Sequence, residues 1–145
     1  MKYLRPASLQ EAADALSAEQ GISRILAGGT DVLVQLKAEM VEPDLLIDLK
    51  HLDGMSNIEA EDGGYRVGAA VPGAALGEHE GMIALWPGIV EAMELIGSTQ
   101  VQGRATMVGN LCNASPAADS VPALVAANAV ARVFGPSGQR DVAVE

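Results

Sequence analysis

Leu26-Ala27-Gly28-Gly29-Thr30-Asp31-Val32-Leu33-Val34 is an apolar run broken at its centre by two glycines and two small hydrogen-bonding residues. Residues 22–27 read as a strand, Gly28-Gly29 as the turn, and Thr30 as the cap of a short helix over 30–38. Glycine leaves the backbone open to close approach. Successive amides in such a turn form a concave anion site, and a helix that follows adds its N-terminal dipole. The same residues also suit a plain strand-to-helix turn, and both readings stand open here.

A second loop of this kind lies far downstream. Ala105-Thr106-Met107-Val108-Gly109-Asn110-Leu111 runs on through Cys112-Asn113-Ala114-Ser115-Pro116-Ala117-Ala118-Asp119. Gly109 and Asn110 offer amides, and Asp119 can accept from a sugar-like or ribityl hydroxyl or cap a helix. Thr106 and Asn110 are equally good turn residues. Two such loops brought together are suited to a long polar ligand gripped from both sides.

Between and around the loops the elements alternate. Ser8-Leu9-Gln10-Glu11 has the form of a capping box, with Leu9, Ala12, Ala13 and Leu16 on one helical face and Gly21 as the stop. Residues 45–49 read as a second strand, parallel to the first. Residues 58–60 and 65–69 flank a turn at Glu61-Asp62-Gly63-Gly64, the pattern of a hairpin. Helices are expected over 74–85, interrupted at Gly77, and over 87–96, opened by Pro87 and closed by Gly97. Residues 101–114 read as strand and loop, and 120–128 as a helix capped by Asp119 or Ser120. A closing hairpin joins 129–134 to 140–144. The chain divides into a small α/β lobe over 1–55 and a second α+β lobe over 56–145. A strand at the last residues is expected either to pair with another chain or to continue into a longer polypeptide.

Composition narrows the function classes. The chain has 145 residues, 49% hydrophobic but only 3% aromatic, so Ala, Val, Leu, Ile and Met must build the core. A net charge of −10 argues against nucleic acid and anionic membranes as partners. A single cysteine, Cys112, rules out an intrachain disulfide and a cysteine-cluster metal site, and reads as a small buried residue. No apolar run has the length of a membrane span, and the N-terminus turns polar quickly, so a cytoplasmic location is expected. His51 and His79 read as solvated loop residues, Trp86 as packing, and Ser115 as a poor nucleophile; no catalytic residue and no metal ligand is expected.

The two loops, in this order, resemble the flavin subunit of the molybdenum hydroxylases, the group of xanthine dehydrogenase, carbon monoxide dehydrogenase and hydroxybenzoyl-CoA reductase. The likeness begins at Tyr3-Leu4-Arg5-Pro6-Ala7-Ser8-Leu9-Gln10-Glu11-Ala12 and includes residues 26–37, Asp44-Leu45-Leu46-Ile47-Asp48-Leu49 and Tyr65-Arg66-Val67-Gly68-Ala69. It is strongest over 96–124, where Ala114-Ser115-Pro116-Ala117-Ala118-Asp119 joins the second loop to its helix.

The resemblance implies an α+β, two-lobed FAD-binding fold of the PCMH type: a small α/β lobe, then a mostly antiparallel sheet with helices, incomplete at the carboxyl end. It implies that Leu26, Ala27, Gly28, Gly29, Thr30 and Asp31 wrap the phosphates of FAD. Thr106, Gly109, Asn110 and Asp119 then form a second set of contacts. The implied partners are an iron–sulfur small subunit and a large subunit with the molybdenum cofactor, with NAD or another acceptor receiving the electrons.

The chain departs from the family in three ways. Val108 stands where relatives usually have a glycine, so a β-branched side chain opposes positive φ and close backbone approach. Gln102 stands where many relatives have arginine. Relatives also continue well past residue 145. These departures motivate an alternative, a flavin-free scaffold derived from such a subunit. A generic nucleotide-phosphate binder using only Gly28-Gly29 is the third reading, and it leaves the second loop without a role.

Overall fold

The computed structural model describes all 145 residues. Its first part is a parallel sheet. Strands β1 (Lys2–Leu4), β2 (Ser23–Leu26) and β3 (Leu45–Asp48) lie in the order β1-β3-β2, with both outer strands parallel to β3. All four residues of the central strand are buried, so an unbroken apolar run fits there without alternation. β1 was not expected: three residues carry no readable period, and only pairing with β3 makes them a strand.

Helix α1 (Leu9–Ala18) covers one face of this sheet. Ser8 Oγ accepts from Glu11 N at 3.1 Å, as the capping box requires. Glu11 reaches back one residue further than expected, accepting from Ala7 N at 2.7 Å. The helix ends before Gly21, at Glu19, which turns extended. Gly21 instead makes room for the Asp44 carboxylate, which accepts from Ile22 N at 3.0 Å.

Helix α2 (Val32–Lys37) follows the first glycine loop. Asp31, not Thr30, occupies the position before it, and neither side chain makes a capping bond. Gly29 has φ +84, which supplies the left-handed turn between strand and helix.

The later part opens on the hairpin of β4 (Ile58–Glu61) and β5 (Gly64–Val67), whose two turn residues Asp62 and Gly63 both have positive φ. Helices α3 (Gly73–Glu78), α4 (Glu80–Leu85) and α5 (Pro87–Glu94) come next. The break between the first two falls at His79 rather than Gly77. His79 is extended, its Nδ1 accepts from Met82 N at 3.1 Å, and its ring meets Tyr65 edge-on at 5.0 Å. It is therefore a half-buried helix cap, not a solvated loop residue.

Residues 101–114, expected as strand and loop, instead hold two short helices, α6 (Thr99–Gln102) and α7 (Met107–Cys112). Thr106 Oγ1 accepts from Gly109 N at 3.0 Å and starts α7, which turns Met107 into the core. Helix α8 (Ser120–Ala126) and the hairpin of β6 (Val130–Gly135) and β7 (Gly138–Ala143) complete the chain. The antiparallel part thus consists of two hairpins with no shared ladder. Side chains link them: Arg132 donates to Glu61 at 2.9 Å, and Glu61 also faces Arg66.

Two apolar clusters form. One joins Ala12, Leu45 and Ile47 beneath α1. The larger joins Val71, Leu76, Met82, Ile89, Val90, Met93, Met107 and Leu124, with Trp86 packed against it. No helix is long and apolar enough to cross a membrane.

Candidate functional site

The two glycine loops meet. A cleft of about 580 Å³ is lined by Ala27, Gly28, Gly29, Thr30 and Asp31 from the first, and by Ala105, Thr106, Val108, Gly109 and Asn110 from the second. At Gly28 the backbones touch: a Cβ there would stand 2.0 Å from the carbonyl oxygen of Arg104 and 3.2 Å from Ala105 Cα. The second loop is held in turn by Gly73 N, which donates to the Ala105 carbonyl at 2.8 Å. Gly28 is therefore required by packing between the loops before any ligand is considered.

The first loop has an unusual hydrogen-bond inventory. None of the backbone N–H groups of Ala27, Gly28, Gly29, Thr30, Asp31 and Val32 donates to any acceptor in the chain. All six residues line the cleft. Backbone donors normally find partners, so a continuous run of free ones beside a cleft is a site for acceptor oxygens. Such a site holds an anion without formal charge.

On the second loop, Thr106 is buried and its oxygen caps α7, while its hydroxyl proton is not donated to any acceptor in the chain. Gly109 allows that cap, because a Cβ would lie 2.7 Å from Thr106 Oγ1. Asn110 accepts through Oδ1 from Ser120 N at 3.2 Å and from Ser120 Oγ at 2.6 Å.

Two of the expected residues fall outside this cleft. Leu26 is buried in the sheet, where its carbonyl accepts from Leu49 N at 3.1 Å. Asp119 is exposed at the start of α8, away from the cleft lining, and makes no side-chain cap. Cys112 is exposed and on the cleft wall, not buried as expected. Partial burial of the sulfur holds its pKa above the ordinary thiol value, so it is not an activated nucleophile.

The expected set omitted Arg24. It lies on the outer strand β2 and is the only lysine, arginine or histidine on the cleft wall. Its guanidinium pairs with no carboxylate and donates only to the Ser23 carbonyl, at 3.0 Å. Asp31 supplies the opposing charge on the same wall. Beneath the cleft, Asp48 is buried at the end of β3 and holds Lys50 Nζ at 2.8 Å and the Tyr3 hydroxyl. Burial opposes its ionisation, but the hydrogen bonds from Lys50 and Tyr3 prevail and bring its pKa down to about 2. This cluster fixes the start of the segment that carries Leu49 to the cleft.

Comparison with known proteins gives consistent results. A family model described as the FAD binding domain in molybdopterin dehydrogenase matches residues 1–145. The caffeine dehydrogenase subunit beta of Pseudomonas sp. (strain CBB1) is 33% identical over 125 residues, covering 86% of this chain and 42% of that protein. The xanthine dehydrogenase FAD-binding subunit of Escherichia coli O157:H7 is 33% identical over 143 residues, covering 98% of this chain and 49% of the relative. Among solved structures, a carbon monoxide dehydrogenase from Hydrogenophaga pseudoflava superposes with a TM-score of 0.94 at 28% identity, covering 99% of this chain and 50% of that one. Quinoline 2-oxidoreductase from Pseudomonas putida 86 gives 0.92 at 26% identity, with 99% and 50% covered. The chain spans about half the length of the curated relatives it matches.

Proposed function

The chain belongs to the family of FAD-binding domains found in molybdopterin dehydrogenases, and from that premise we propose that its cleft holds FAD. The observation that carries this reading is the run of free amides over Ala27–Val32 facing the second loop. The residues present suit the cofactor. The amides of Gly28, Gly29, Thr30 and Asp31 supply donors for the pyrophosphate, and Arg24 supplies a cation on a chain whose net charge is −10. Thr106, Gly109 and Asn110 would hold the cofactor from the opposite wall. Leu26 would anchor the first loop from below, and Asp119 would contribute from the rim at the head of α8.

FAD supplies the redox chemistry when bound, accepting and releasing electrons. The chain's own residues bind, orient and shield it, and none is assigned an acid–base or nucleophilic role. In this proposal the domain is part of the FAD-binding electron-transfer subunit of a molybdenum-hydroxylase-type oxidoreductase. Electrons arrive from an iron–sulfur small subunit, which draws them from a molybdenum-cofactor large subunit, and leave to NAD or another acceptor. A cytoplasmic setting belongs to the same proposal.

The test is a visible absorption spectrum of the purified chain, taken after incubation with FAD and removal of the excess by desalting. Retained flavin bands are expected. A colourless protein that is folded by circular dichroism and leaves flavin fluorescence unquenched would refute the proposal.

One observation favours a second reading, a scaffold that carries no flavin. The Val108 side chain lines the cleft at the place where the family resemblance puts a glycine. Its backbone is not the obstacle, because Val108 lies inside α7 and does not have positive φ. What is left is volume, and that reading predicts a folded, colourless protein.

A further inference from the structure

Ser120 is the most completely buried polar residue of the chain, at 0% exposure, and both of its donors converge on one atom. That atom is Asn110 Oδ1. A backbone N–H can only donate, so the atom facing Ser120 N must be the amide oxygen, whatever rotation of the side chain is considered. The hydroxyl of Ser120 adds a second donor to the same oxygen. The amide nitrogen of Asn110 is thereby turned away from α8, and it donates to no acceptor in the chain. Asn110 itself lines the cleft.

We infer that Ser120 is a positioning residue: it locks the Asn110 amide so that this side chain offers its N–H donors, and not its oxygen, to a ligand in the cleft. The class of group this favours is an acceptor oxygen, such as a phosphate, a carbonyl or a ring carbonyl. A free asparagine would present either end of its amide and discriminate nothing. The lock spans ten residues of sequence, and neither partner signals it alone. The inference rests on the reading of the cleft as a flavin site, but it concerns direction rather than occupancy.

The experiment is a double-mutant cycle on FAD affinity, measured by flavin fluorescence quenching with the full chain. Ser120→Ala removes the 2.6 Å hydroxyl bond and leaves Asn110 held by the longer 3.2 Å backbone bond alone, and is expected to raise the FAD Kd about fivefold, the scale of one hydrogen bond. The same substitution in an Asn110→Ala background is expected to change it by less than about twofold, because nothing is left to orient. An equal effect in both backgrounds makes Ser120 merely structural and overturns the inference.

Asn110→Asp provides an independent arm should Ser120→Ala fold poorly. Its carboxylate keeps both bonds from Ser120 but has no donor for the ligand. It is expected to melt like the parent and to raise the FAD Kd about tenfold or more. Binding as tight as the parent's overturns the inference. If the parent chain itself takes up no FAD, the flavin reading falls and this inference with it.

Discussion

Gly28→Ala adds a single methyl group at the point where the two loops touch. Placed ideally, the new carbon lies 2.0 Å from the Arg104 carbonyl oxygen, 2.9 Å from its carbonyl carbon and 3.2 Å from Ala105 Cα. Ordinary contact needs well over 3 Å, so the loops must part by more than an ångström. The obstacle is backbone, tied by the Gly73 N bond to Ala105, and no side-chain rotation relieves it. Overpacking of this kind costs about 1–3 kcal/mol, and an unyielding neighbour puts it near the top, at about 3 kcal/mol. For a domain of this size that is a loss of roughly 10 °C in Tm. The assay is thermal unfolding of the flavin-free protein by circular dichroism. Gly63→Ala serves as reference: nothing lies within 4 Å of its Cβ, so only the positive φ of +80 opposes it, at about 1 kcal/mol. If Gly28→Ala melts within about 2 °C of the parent, the loops are not in the contact described. Gly28 would then be a glycine for the ligand's sake alone.

Three further outcomes are expected. Arg24→Gln should weaken FAD binding about fivefold and flatten its dependence on salt, while Arg24→Lys keeps most of the salt dependence; identical titrations at low and high salt for parent and Arg24→Gln would exclude a charge role. The folded pKa of Asp48, about 2 against an ordinary 3.8, stabilises the protein above the unfolded value, and that contribution is lost as pH falls from there towards 2. Discounted for its half-exposed partners it amounts to about 1–2 kcal/mol, so chemical denaturation of Asp48→Asn should show a shallower loss of stability over that range than the parent. Val108→Gly should cost about 0.4 kcal/mol of stability through helix propensity and tighten FAD binding; unchanged affinity would clear Val108 of any restriction on the cleft.

Much of this site was legible because its signals are local. Gly28-Gly29 after an apolar strand, Ser8 before Glu11, and Asp62-Gly63 between alternating runs each specify their backbone within a few residues. The parallel pairing of β2 with β3 followed from their connection through a helix. What escaped was set by distant partners. Met107 and Val108 look strand-forming, but the Thr106 cap and the burial of Met107 in the cluster that holds Met93 decide for helix. Tyr3 belongs to a strand only because Leu46 lies opposite. Arg24 reaches the cleft because β2 is an outer strand, which no property of Ser23-Arg24-Ile25 reveals. Asp119 stays exposed at the head of α8, and it is the next residue, Ser120, that turns inward to Asn110, a contact no local pattern signals.

Helix α2 buries none of its side chains, and Leu33 and Val34 remain exposed. The glycine loop is therefore moored at one end to the outer strand β2, of which only Leu26 is buried, and at the other to a turn and a half of helix with little to hold it. Hydrogen exchange should register this as fast labelling that runs from the loop through α2 and stops abruptly at β3. A ligand settling on the loop would have to quiet that whole stretch, so part of its binding energy goes into ordering chain. Departure would then begin with α2 loosening, and the lifetime of the complex would answer to substitutions at Leu33 or Val34, on a helix that contributes no bond to the ligand beyond the Val32 amide.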